Sequence, residues 1–161
     1  MTAVGRGTAG PATDITGRYR TTTVVAWDEL DALGVLHHAR FVVHAERAFS
    51  RLLDAMGYAY HCDPAVRPER HHVVAAVRLA FRRPVEGPGP LDIEQRVEHL
   101  GCTSLAMAFT VTAAGTGATV AEGTRTVVHV DWGTRRPQPW SPEFRQRLHT
   151  LFSEHDLEAR P

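Results

Sequence analysis

Between Phe41 and Met56 the apolar side chains fall on one side of a helix. Phe41, Ala45, Ala48, Leu52 and Met56 recur every three or four residues, and Val42, Phe49 and Leu53 widen the stripe. Gly57 supplies a natural stop. The spacing predicts a helix of roughly 18 residues, about 27 Å long at 1.5 Å per residue. A stripe this wide needs cover from several strands, and the chain beyond it is strand-like.

Tyr19 to Trp27, YRTTTVVAW, is β-branched and aromatic, and an acidic, Gly-containing connection, DELDALG, leads from it to the helix. Tyr58 to Arg70 carries Pro64 and Pro68 and reads as a loop. His72 to Arg83 is rich in Val, Ala and Phe and stops at Pro84. After the turn segment EGPGP, Leu91, Ile93 and Val97 alternate with Asp92, Glu94, Arg96 and Glu98. Leu105, Met107, Phe109 and Val111 repeat that period, Gly115 and Gly117 mark a hairpin, and Thr119 to Trp132 gives a last long strand. Ser141-Pro142 has the form of an N-cap and first-turn proline, opening a short helix to about Ser153. The order predicts an α+β domain with antiparallel pairing over residues 18–155, an arm at 1–17 and a tail at 156–161.

Composition removes several functions. A chain of 161 residues suits one core. Its 18 Lys+Arg balance 18 Asp+Glu, so it lacks the basic footprint of a nucleic-acid or anionic-membrane binder. There is no lysine, which excludes a Schiff-base mechanism and a Walker-type phosphate loop. No apolar run approaches the ~20 residues of a membrane span, and no basic start leads into an apolar secretion segment. Cys62 and Cys102 form no disulfide framework and fit a reducing compartment, so a cytoplasmic protein is expected.

The chemistry concentrates in Asp28 to Ala48, DELDALGVLHHARFVVHAERA. Asp31 lies between the first strand and the helix, and Gly34 permits a sharp turn beside it. His37 and His38 stand at or just before the helix start. A helix N-terminus offers unpaired N–H groups and positive partial charge, a setting for a developing oxyanion. A carboxylate beside it can serve as general base or nucleophile, and a histidine can orient a carbonyl or carry a proton. These are parts for acyl transfer.

Asp31, Gly34, Val35, His38, Ala39, Phe41 and Glu46-Arg47-Ala48 together resemble the motif of the hotdog-fold acyl-CoA thioesterases of the 4-hydroxybenzoyl-CoA thioesterase type, particularly the subgroup that includes the Tol-Pal-associated thioesterases. LAFRRPVEGPGPLDIEQRVEHLGCTSLAMAFTV looks like the second and third strands of that family, and VAEGTRTVVHVD like its fifth. The resemblance spans about Tyr19 to Leu148. The chain departs from the pattern at His37, where an aromatic is common, and at His44 and Ala45, where the family often has aromatics.

The resemblance implies a hotdog fold: a five-stranded antiparallel sheet wrapped around one long central helix, with a short C-terminal helix. It implies that Asp31 attacks the thioester carbonyl or activates water, and that the N–H at His38 lies in the oxyanion site. Gly34, Val35, His37, Phe41, Glu46, Thr103 and Ser104 are the candidates for contact with substrate. An acyl-CoA or acyl-carrier-protein substrate, a homodimer or homotetramer with sites at the subunit boundary, and no metal or other cofactor are the further expectations. An enoyl-thioester hydratase or dehydratase and a non-catalytic acyl-thioester-binding hotdog protein are the alternatives.

Each residue also has a plainer reading. Asp31 can cap a turn, and Glu46 can pair with an arginine on the sheet. His44, His71 and His72, with His37 and Cys62, match no standard zinc spacing. Arg82, Arg83, Arg135 and Arg136 can meet CoA phosphates or simply face solvent.

Overall fold

The structure, a computed structural model, describes residues 15–61, 63 and 65–158. Five strands and two helices succeed one another as β1 (Tyr19–Val25), α1 (His38–Ala55), β2 (His72–Phe81), β3 (Gly89–Leu100), β4 (Ser104–Ala113), β5 (Ala118–His129) and α2 (Pro142–Glu158). Single 3-10 turns at Trp27–Glu29 and Pro68–Arg70 precede α1 and β2. All pairings are antiparallel, and the sheet order is β1-β3-β4-β5-β2. This is the α+β antiparallel architecture expected from the helix stripe and the strand run, in the hotdog arrangement that the resemblance implies.

The sheet order explains why α1 is long. β1 and β2 are consecutive strands, yet they occupy opposite edges, so the chain between them has to cross the whole sheet face. Four inter-strand gaps of about 4.8 Å span roughly 19 Å, and an 18-residue helix covers that distance. Phe41, His44, Ala45, Ala48, Phe49, Leu52 and Leu53 are the buried residues of α1. Gly57, at φ +84°, ends the helix in the left-handed conformation that a glycine tolerates.

The core has two parts. The C-terminal half of α1 contributes Phe49, Leu52 and Leu53 to a cluster with Met107, Val127, Trp140 and the α2 residues Phe144, Leu148 and Phe152. The N-terminal half contributes Phe41, Ala45 and Ala48 to a second cluster with Val25, Leu36, Val85, Leu91, Phe109 and Val111. Burial of such side chains stabilises each cluster by about 25 cal/mol per Å² of apolar surface removed from water.

The element ends differ from the sequence reading in four places. Of the expected arm, residues 1–14 lie outside the described residues, while Ile15 is buried in the α2 cluster. β1 stops at Val25 because Trp27–Glu29 turns into a 3-10 helix, with the Glu29 side chain accepting the N–H of Ala26 at 3.0 Å. β5 ends at His129, beyond which Val130 makes only an isolated bridge to Pro137. α2 runs past Ser153 to Glu158, into the expected tail, whose residues 159–161 lie outside the described residues, as does Cys62.

Candidate active site

The connection from β1 to α1 folds on itself around Asp31. The Asp31 N–H donates to the Val35 carbonyl at 2.8 Å, and the Gly34 N–H returns to the Asp31 carbonyl at 3.0 Å. The Asp31 carboxylate joins in through Oδ1, which accepts from the N–H of Leu33 at 2.8 Å and of Val35 at 3.4 Å. Gly34 holds φ +75° with open space around its Cα, so backbone conformation alone dictates glycine there. Asp31 is half-buried, and its Oδ2 has no hydrogen-bond partner among the described residues.

Two sets of bonds fix this turn. On one side the Leu36 N–H donates to the Val85 carbonyl at 2.9 Å and the Gly87 N–H to the Gly34 carbonyl at 3.0 Å, tying the turn to the β2–β3 connection. On the other, the His37 N–H donates to the Glu29 carbonyl at 3.0 Å. His37 is the N-cap of α1, and its Nδ1 accepts the Ala39 N–H at 3.3 Å. The Arg40 N–H is taken by the His37 carbonyl at 2.8 Å. The N–H of His38 then remains without a partner among the described residues. The exposed His37 and His38 rings lie 4.2 Å apart.

Behind the helix start lies a buried polar group that the sequence reading did not single out. Glu29, Thr23 and His44 are 3%, 2% and 0% exposed. Glu29 Oε2 meets His44 Nε2 at 3.1 Å, Glu29 Oε1 accepts from Arg47 Nη1 at 2.9 Å, and His44 Nδ1 meets Thr23 Oγ1 at 3.0 Å. Burial alone would raise the Glu29 carboxyl, but the Ala26 N–H, the His44 ring and the Arg47 guanidinium together hold it below the ordinary glutamate value. Burial pushes His44 below the ordinary histidine value, against the attraction of Glu29. A neutral ring donating from Nε2 to Glu29 and accepting the Thr23 hydroxyl at Nδ1 satisfies every contact.

The other sequence candidates are scattered. Phe41 is buried and meets Phe81 of β2 edge to face, with centroids 5.4 Å apart. Val35 bridges to Glu86. Glu46 pairs with Arg125 of β5 at 3.3 Å, which is its plainer reading. Thr103 and Ser104 sit where β3 gives way to β4, whereas Asp31 lies by the start of β3. Twelve residues of β3, roughly 35–40 Å of strand, separate them, so one chain does not bring them together. Arg82 is paired with Glu122, and Arg135 stacks on Trp132 at 4.0 Å. Among the described residues no group of three or more His, Cys, Asp or Glu is placed to hold a metal ion, and no helix is long and apolar enough to cross a membrane.

A five-stranded antiparallel sheet packed on one long helix defines a hotdog protein. The family model of the thioesterase-like superfamily matches residues 25–148, and the chain belongs to that superfamily. Among solved structures it is similar to a thioesterase from Thermus thermophilus complexed with coenzyme A and Zn, at 28% identity and TM-score 0.68, over 88% of this chain and 95% of that one. It shares its fold with the 1,4-dihydroxy-2-naphthoyl-CoA thioesterase of Synechocystis, at 12% identity and TM-score 0.73, over 84% and 98% of the two chains. The DHNA-CoA thioesterase of Staphylococcus aureus is a further structural relative, at 14% identity and TM-score 0.73, over 89% and 96%. No curated protein sequence matches the chain.

Proposed function

We propose that this protein hydrolyses an acyl thioester of CoA or of an acyl-carrier protein, by the site chemistry of the 4-hydroxybenzoyl-CoA and Tol-Pal-associated thioesterases. The observation that carries the reading is the frame joining Asp31 to the start of α1. A turn closed on the Asp31 carboxylate is bonded through His37 and Glu29 to a helix whose His38 N–H has no partner among the described residues.

In the general-base route Asp31 takes a proton from water as the oxygen attacks the thioester carbonyl. The carbonyl becomes an oxyanion that accepts from the His38 N–H. Collapse breaks the C–S bond, and the departing thiolate recovers the proton from Asp31, giving free acid and thiol. In the nucleophilic route Asp31 attacks directly, expels the thiolate, and forms an acyl anhydride that water then cleaves. When water attacks the Asp31 side of the anhydride, ¹⁸O from solvent stays in Asp31, which the first route does not produce.

Gly34, Val35 and His37 would border the reacting carbonyl, and Phe41 the acyl group. Glu46, Thr103 and Ser104 would reach substrate through assembly with a second copy. The working unit would be a homodimer or homotetramer, supported by the exposed apolar residues of edge strand β2: Val73, Val74, Val77 and Phe81 are 50%, 48%, 38% and 51% exposed.

The test is thiol release from short, long, aromatic and carrier-bound acyl thioesters by wild type, Asp31→Asn and Asp31→Ala. Asn keeps an acceptor oxygen for the Leu33 and Val35 amides, so this variant separates capping of the turn from chemistry. A loss of about a thousandfold or more in both variants is expected. Wild-type rates in Asp31→Asn remove the carboxylate from the mechanism. Loss of the crotonyl-CoA double bond without free thiol would assign a hydratase instead.

A further inference from the structure

The buried Glu29 group takes no part in the proposed hydrolysis, yet it joins the end of β1 to the start and the middle of α1. Glu29 belongs to the 3-10 turn that ends two residues before Asp31. Its main-chain carbonyl receives the N-cap amide of α1, while its side chain receives His44 and Arg47 from the second and third turns of that helix. One residue therefore holds the helix at its N-cap and again along its length. Its Oε2 also accepts the Ala26 N–H at 3.0 Å, which fixes the end of β1.

The set resembles a hydroxyl–histidine–acid triad in its order of contacts. Thr23 and His44, at 2% and 0% exposure, are shut off from any substrate, so a nucleophilic role is excluded. What such a charge-assisted network supplies is geometry, since hydrogen bonds to a buried carboxylate are strong and directional.

We propose that Glu29, held by His44 and Arg47, is the positioning residue that sets the distance between the Asp31 turn and the His38 N–H. The inference rests on the thioesterase reading for its catalytic consequence. Thr23 fixes the far side of the His44 ring. Removing the Glu29 charge leaves Arg47 and His44 facing a group that cannot accept from both and from Ala26. The helix start then moves against the turn while the α2 end of the core is untouched.

The experiment compares wild type, Glu29→Gln, Glu29→Asp and Leu148→Ala. Leu148 is fully buried in the α2 cluster, so Leu148→Ala is the control for stability loss alone. The readouts are kcat and KM on hexanoyl-CoA and benzoyl-CoA, thermal midpoint, and amide exchange over residues 31–40. Glu29→Gln is expected to lower kcat at least tenfold, change KM less than threefold, and speed exchange over 31–40 at least tenfold. Glu29→Asp, which keeps the charge on a shorter stem, recovers part of kcat. Leu148→Ala keeps kcat within threefold despite an equal or larger fall in midpoint. Glu29→Gln with wild-type kcat and wild-type exchange overturns the proposal, and so does the same kcat loss and the same local exchange in Leu148→Ala. If wild type releases no thiol, the function reading fails, and the exchange arm still decides whether Glu29 holds this segment.

Discussion

Arg125 of β5 reaches under α1 to Glu46, with Nη2 3.3 Å from Oε1 and its guanidinium carbon 5.0 Å from the centre of the Phe49 ring. The two partners are unequal: the Arg125 side chain is 5% exposed and Glu46 59%. Removing Glu46 strands a buried cation, whereas removing Arg125 leaves a carboxylate that water already reaches. Glu46→Ala is therefore expected to cost about 1–3 kcal/mol, and Arg125→Met to cost less or to stabilise. Urea denaturation of both variants checks the order, and the reverse order would show that Arg125 is anchored by something other than Glu46.

Acid should weaken the fold through His72. Burial, reinforced by the Arg125 guanidinium, pushes this ring down to about 4. The unfolded chain takes up the proton near the ordinary histidine value of about 6.5. Between those values the unfolded state binds more protons, so stability is present above the window and lost as pH falls through it, up to about 3 kcal/mol from this group. Denaturation midpoints at pH 7 and pH 4.5 should differ less in His72→Gln than in wild type. His44, lowered by burial in the same direction, leaves a residual slope in the variant.

Gly34→Ala isolates backbone strain, since an added Cβ meets nothing within 4 Å and only the φ of +75° opposes it. The expected cost is about 1–2 kcal/mol. Because the turn carries Asp31, kcat should fall together with the thermal midpoint. An unchanged midpoint would mean that the turn readily adopts another conformation.

The β2 edge should pair with a second copy. An apolar edge strand whose only full charge is Arg78 invites another chain to extend the sheet. Sedimentation of wild type should give a mass of at least twice the 17.8 kDa chain. Val74→Lys with Val77→Lys should shift it to the monomer. A monomeric wild type at micromolar concentration would remove the dimer from the proposal.

The sequence made the helix legible because its period of three to four residues is carried by the residues that are buried, from Phe41 to Leu53. The alternation in β3 and β4 is legible for the same reason, with Leu91, Ile93, Val97, Leu105, Met107 and Val111 facing inward. β2 shows the limit of that logic. HVVAAVRLAF is as apolar as a buried strand, yet it lies at the sheet edge with Val73 and Val74 half exposed, because composition alone does not say which neighbours a strand gets. Asp31, Gly34 and His38 stood out through local spacing. Glu29 did not, because its partners His44 and Arg47 are 15 and 18 residues away and are brought close only when the helix folds back over the end of β1. His44 was the available signal, a polar residue on the apolar face between Phe41 and Ala48.

The split core lets stability and chemistry drift apart. Substitutions around Trp140, Phe144 and Phe152 repack the far half of α1 and leave Val25, Leu36 and Phe41 in place beneath the Asp31 turn. A lineage can harden against heat at one end of its helix while the end proposed to be reactive adapts to a different acyl group.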